Sequence, residues 1–166
     1  MENKNGYKSF NSNFETFNNI KLEPNKTYEL SENIKYHKYG YHFAKRLEDT
    51  LRYVNGLEEE IIICHIKVLG KVDWYDDEYY GYYDLGCTNK IFISSPLTRE
   101  NILEYAYKLP EYSLIRFIQG YKLTKEELEH MKEFYQNNKN IINNLKYYQE
   151  KDIKVFKREY KLNGKN

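Results

Sequence analysis

Residues 61–69 read Ile-Ile-Ile-Cys-His-Ile-Lys-Val-Leu, a run that is β-branched almost throughout and stops at Gly70. β-branched side chains are stiff at χ1 and suit a pleated surface better than a helix. The first half of the run is apolar at consecutive positions. Both faces of that strand must therefore be covered, which predicts a central strand. A chain organised round such a strand needs other strands to pair with it and layers to cover it.

The residues before it supply short candidates. Gly6 to Phe10 alternates like a strand. Asn18 to Leu22 and Lys26 to Leu30 flank Pro24-Asn25 and predict a hairpin. Tyr41-His42-Phe43, after Gly40, predicts a three-residue strand. Leu47, Leu51 and Val54 recur at i, i+4 and i+7, one helix face, and Asn55-Gly56 closes that helix. Thr88 to Ile93 alternates as a further strand.

The pattern changes at Ser94-Ser95-Pro96. Thr98 is the predicted N-cap of a helix carrying Ile102, Leu103, Ala106 and Tyr107, stopped at Leu109-Pro110. Tyr112 to Gln119 predicts a second helix, closed by Gly120. Thr124-Lys125-Glu126-Glu127 is a capping box. The stripe Leu128, Met131, Tyr135, Ile142, Leu145 after it predicts one helix of roughly 25 residues. Residues 137–144, NNKNIINN, are poor helix formers and mark its weak point. The expected fold class is α+β. A small β-rich N-terminal domain with one short helix (1–94) is followed by a helical C-terminal region (95–166) packed on it.

Composition narrows the function classes. Tyr occurs 19 times and Phe 8 times, and buried tyrosines need partners for their hydroxyls, so many rings belong at the margin of the core. Asn, Lys, Ile and Tyr have A/T-rich codons, which points to an AT-rich genome: a low-GC bacterium, a phage or a large DNA virus. Net charge is +1, too small for a chain-wide field that attracts nucleic acid or anionic membrane. Cys64 and Cys87 are too few for a disulfide framework and read as buried small hydrophobes. No run reaches the ~18 apolar residues that span a bilayer, and no apolar segment follows Met1 to Asn5 as a secretory signal would. The expected location is the host-cell cytoplasm, or a virion assembled there.

Motifs for chemistry are missing. There is no G-x-S-x-G, C-x-x-C or Walker loop, so no catalytic residue and no cofactor is predicted. His37, His42, His65 and His130 do not form a ligand pattern. His65 and Cys64 are adjacent and point to opposite faces of a strand, so no metal is predicted either. Residues 73–84, DWYDDEYYGYYD, hold five acids, five Tyr and the only Trp, with no basic residue. The acids lack the spacing of a calcium loop, while rigid rings suit contact surfaces. Trp74, Tyr75, Tyr79, Tyr80, Tyr82 and Tyr83 are the predicted interaction surface. From Tyr121 to Asn166, eleven Lys and Arg stand against seven acids, interleaved with Tyr135, Tyr147, Tyr148 and Tyr160. Basic grooves with stacking rings bind single strands, so nucleic acid is a second candidate partner.

Gly6-Tyr7-Lys8-Ser9-Phe10-Asn11, Asn25-Lys26-Thr27-Tyr28-Glu29 and Gly40-Tyr41-His42-Phe43-Ala44 occur in that order. Leu47 to Tyr53, Ile61 to Gly70 and Thr88-Asn89-Lys90-Ile91 follow. This series resembles a domain family of uncharacterised function found in phages, bacteria and large DNA viruses, whose members read Y-K-G-F-N, G-K-x-Y-E and G-F-H-F-C. Ser9 and Ala44 depart from its usual Gly and Cys. The resemblance covers residues 6–94 and implies no activity. GYHFAKRLEDTLRYV also resembles the middle of ADP-ribosyltransferase-like domains. That likeness implies an NAD site at Tyr7, His42 and Tyr53, in a copy that lacks the usual first-strand His or Arg. The expected function is non-enzymatic contact with a protein partner, host or self, for assembly or host-factor binding. An NAD-using transferase, degenerate or not, is the alternative, and nucleic-acid binding through the basic C-terminal helices the second.

Overall fold

Seven strands form one antiparallel sheet in the order β2-β7-β4-β1-β3-β6-β5 in the computed structural model, which describes residues 5–31, 33–35, 39–75 and 84–150. The strands are β1 Asn5–Asn11, β2 Lys26–Glu29, β3 Tyr41–Ala44, β4 Ile61–Val68, β5 Val72–Trp74, β6 Leu85–Thr88 and β7 Lys90–Pro96. The helices are α1 Leu47–Thr50, α2 Arg99–Tyr107, α3 Glu111–Ile118, α4 Lys125–Phe134 and α5 Lys139–Gln149. The protein is thus mixed α+β. The β-branched run is β4, enclosed between β7 and β1.

Strands β4 to β7 are one long hairpin folded across its middle. β4 pairs with β7 and β5 with β6. Only Asn89 separates β6 from β7, yet those strands stand four places apart in the sheet. In a flat sheet four strand spacings would measure about 19 Å. Two chain steps reach at most about 7.6 Å. The sheet is therefore curled until its two ends meet at Asn89. The corner is knit by Lys71 N donating to Asn89 Oδ1 (2.9 Å) and Leu30 N to Asn89 O (2.7 Å). Gly70 is required there, because a Cβ would lie 2.2 Å from Asn89 Oδ1.

Inside the curl lie Phe10, Leu22, Tyr41, Phe43, Cys64, Ile66, Val68, Ile91 and Ile93. The alternate residues of β1 and β4 face the helices. There Ile63 joins Leu47, Leu51, Ala106, Leu114, Phe117, Ile118, Met131 and Leu145 in a second core.

Three local expectations need correction. No hairpin forms round Pro24-Asn25: β2 pairs with β7, and the preceding segment makes only the single bridge Glu15↔Lys21. Leu22 is drawn into the curl, and Asn19 and Asn25 take left-handed backbone (φ 62° and 59°) that breaks strand geometry. The helix expected through Val54 ends as α1 plus a 3₁₀ turn, Leu51–Tyr53, with Val54 extended. The long C-terminal helix is two helices, broken at its Asn-rich weak point, where the Asn138 side chain accepts from Ile141 N (3.2 Å) and caps α5. Thr98 and the Thr124–Glu127 capping box start α2 and α4 as their sequences indicate.

Candidate functional site

Trp74 occupies β5, the last strand of the sheet. The residue is 39% exposed, yet its ring is held. It meets Phe43 edge to face (centroids 5.5 Å) and lies under the Lys45 ammonium (4.7 Å). Opposite it is Gly86, where a Cβ would come within 3.0 Å of both the Trp74 and Phe43 rings. Without that glycine the indole could not lie flat across the strand. Tyr75 is partly buried against Ala44, Leu85 and Cys87, and its N–H donates to Leu85 O (2.8 Å). Tyr79, Tyr80, Tyr82 and Tyr83 lie outside the described residues.

The three residues of the alternative site are distributed. His42 is 7% exposed and sits 5.8 Å from Tyr53, with Phe17 edge-on to His42 (5.1 Å) and stacked on Tyr53 (5.3 Å). Tyr53 lines a hollow with Asn11, Glu15, Phe17, Asn19 and Arg52. Tyr7 lines a different one with His65 and Tyr105.

A buried polar cluster surrounds α1, which sequence reasoning did not identify. β1 and β3 pair only at Tyr7↔Ala44. Past that point, polar side chains bridge the two halves. Lys8 is 4% exposed and donates from Nζ to His42 O (2.5 Å). Ser9 Oγ and Thr50 Oγ1 are hydrogen-bonded, and Thr50 also donates to Leu47 O (2.7 Å). Burial drives the Lys8 ammonium down to about 7, against a small upward pull from Cys87.

Glu48 and Asp49 are 3% and 2% exposed. Asp49 is ion-paired with Arg46 (3.1 Å) and with Arg116 of α3. Arg46 also reaches Asp84 (3.2 Å). Glu48 Oε2 accepts from Tyr105 OH (2.7 Å), while Oε1 has no hydrogen-bond partner among the described residues. Helical spacing puts Leu47 and Leu51 inward and their polar neighbours outward. α1 is so short and so enclosed by β1, β3 and α3 that every side of it is covered. A polar run, RLEDT, inside a very short helix would have been the available signal.

Tyr105→Phe removes the hydroxyl that donates to Glu48 Oε2. We expect a loss of about 2–3 kcal/mol, the worth of a hydrogen bond to a charged group, read as a shift in urea midpoint. An unchanged midpoint would show that Glu48 is not held by this hydroxyl.

Both cysteines are free and buried. Burial pushes the Cys64 thiol up to about 12. Burial and then Asp73 push Cys87 up to about 11. Neither has the thiolate character of a nucleophile at neutral pH. Among the described residues no cluster of His, Cys, Asp and Glu is placed to hold a metal ion, and no helix is long and apolar enough to cross a membrane. No protein-family model matches the chain, and no curated protein or solved structure matches it either.

Proposed function

We propose that this chain is a non-enzymatic protein that works by contact with another protein, and that the contact is made at the Trp74 edge of the sheet. The observation that carries this reading is the Trp74 ring, exposed on an edge strand while fixed by Phe43 and Lys45. A large ring already held in place loses little freedom when a partner covers it. An edge strand also offers backbone donors and acceptors to an added strand. Residues 73–84 carry five acids and no base, so the partner surface should bring Lys or Arg. Two copies meeting through this segment would set like charges together, which costs several kcal/mol. A heterologous partner is therefore favoured over self-pairing at this edge.

The resemblance of residues 6–94 to a phage, bacterial and large-virus domain family supports a role inside a host cell or in a virion assembled there. The NAD-using alternative draws no support from the placement of Tyr7 apart from the His42–Tyr53 pair. The basic stretch from Tyr121 onward is balanced in part by ion pairs such as Lys132–Glu150 (2.5 Å).

The test is a photo-crosslinking residue placed at position 74 and, as a control, at Tyr112, which is 66% exposed on α3. In cells of the native host, position 74 should give a discrete adduct that position 112 does not. Equal labelling at both positions, or none at 74, would refute the proposal.

A further inference from the structure

A second surface stands apart from Trp74, at the middle of the sheet. Tyr7 of β1 and His65 of β4 are directly opposed in the strand register, and their rings lie 4.6 Å apart at 37°. Tyr105 of α2 closes on Tyr7 from the side, edge-on at 5.6 Å. These rings bound a hollow of about 310 Å³ that also includes Leu47, Leu97, Asn101, Glu104 and Lys108.

Asn101, Glu104, Tyr105 and Lys108 recur at i, i+3, i+4 and i+7, so they share one face of α2. Helices normally turn such a face to bulk water. Here it overlooks a ring-bearing stretch of sheet, while Ile102 and Ala106 occupy the core. The sheet surface continues in the same character. Lys67 is two residues beyond His65 and thus on the same side, and it lies over the ring of its register partner Phe92 (5.9 Å).

We propose that this hollow binds a nucleobase. Its flat face stacks on the Tyr7–His65 pair. Its polar edge meets the Asn101 amide, which offers a donor and an acceptor side by side, as adenine recognition requires. Glu104 and Lys108 form an ion pair at the hollow's edge (3.4 Å); the second Glu104 oxygen accepts from an exocyclic amino group, and Lys108 meets a phosphate by exchanging that carboxylate for it. A partner's apolar aromatic side chain would fill the same volume but leave the Asn101 amide without a matching edge. The base comes either from a free nucleotide or from a single-stranded nucleic acid, and both share this chemistry.

The experiment titrates the full chain with adenosine 5′-monophosphate, ribose 5-phosphate and a short single-stranded oligoadenylate, read by saturation-transfer NMR and tyrosine fluorescence. Adenosine monophosphate should bind saturably in the millimolar range or below, and ribose 5-phosphate should not. His65 is exposed, so His65→Ala should fold normally while weakening binding about tenfold, the scale of one lost stacking contact. Asn101→Ala should weaken it as well. An oligoadenylate that binds more tightly, with affinity falling steeply in salt, assigns the source to a nucleic-acid strand. Equal affinity assigns it to a free nucleotide. The proposal fails if neither adenine probe binds, if both variants bind as the parent does, or if N-acetyltryptophanamide binds as well as the nucleotide. None of these results bears on crosslinking at position 74, so the two proposals stand or fall separately.

Discussion

Lys8→Met should stabilise the protein at neutral pH, by an amount that shrinks as the pH rises. Lys8 is nearly fully buried, and burial depresses its ammonium from an ordinary 10.5 to about 7. Between those values the unfolded chain binds a proton that the folded chain does not. Stability therefore rises with pH across that window and levels off below about 7, where both states are protonated. Each pH unit is worth about 1.4 kcal/mol, so the whole window amounts to on the order of 5 kcal/mol. Methionine fills a similar volume without the charge, but it leaves His42 O without the Nζ donor, a loss of about 1–3 kcal/mol. The net gain near pH 7 is then on the order of 2 kcal/mol. Urea unfolding of parent and variant at pH 7 and pH 9 checks this. The gap between them should fall by roughly 2–3 kcal/mol. Taking the difference cancels the ionisation of Cys64 and Cys87, which acts in the opposite sense. A gap that stays constant would show that Lys8 keeps its proton in the folded state.

The largest loss should follow Gln149→Leu. Gln149 is 3% exposed and binds three backbone groups in the turn between α3 and α4. Its Nε2 donates to Ile118 O (2.6 Å) and Tyr121 O (2.8 Å), and its Oε1 accepts from Leu123 N (2.9 Å). Leucine preserves most of the volume but leaves all three groups unpaired inside the protein. At about 1–3 kcal/mol for each unpaired buried group, with partial relaxation, the expected cost is about 4 kcal/mol. For a chain of this size that lowers the melting temperature by roughly 10 °C. Gln149→Glu should not rescue the loss at neutral pH: its Oε1 can still accept from Leu123 N, but a buried carboxylate oxygen in place of Nε2 cannot donate to Ile118 O and Tyr121 O. If both variants melt with the parent, the end of α5 does not anchor that turn.

How far these features were legible depends on the range over which each is decided. Local devices read correctly: the Thr98 and Thr124 caps, the stop at Pro110, and the strand over residues 61–68. Each is settled by side chains within a turn or two of one another. Pairing partners read poorly. Sequence adjacency pairs Lys26 to Leu30 with the run just before it, whereas the sheet pairs Lys26–Glu29 with β7. β6 did not show as a strand of its own, because Leu85-Gly86-Cys87-Thr88 lacks a β-branched run, and Gly86 is there for the indole of Trp74. The Tyr7, His65 and Tyr105 grouping was out of reach for the same reason, since the register of β1 on β4 and the approach of α2 create it. Nothing local marks Lys8, Glu48 and Asp49 as buried, because charged residues in short amphipathic stretches are normally wet.

The folded hairpin has an effect on assembly. Its β4–β7 half is measured against β1 and its β5–β6 half against β3, and the corner at Gly70 and Asn89 accepts one alignment only. A slip of two residues would keep every inward residue inward and so escape detection by hydrophobicity. It would also push a side chain into the slot that only Gly70 fits, 2.2 Å from Asn89 Oδ1. The corner thus works as an indexing notch, rejecting shifted ladders that the apolar pattern alone would tolerate.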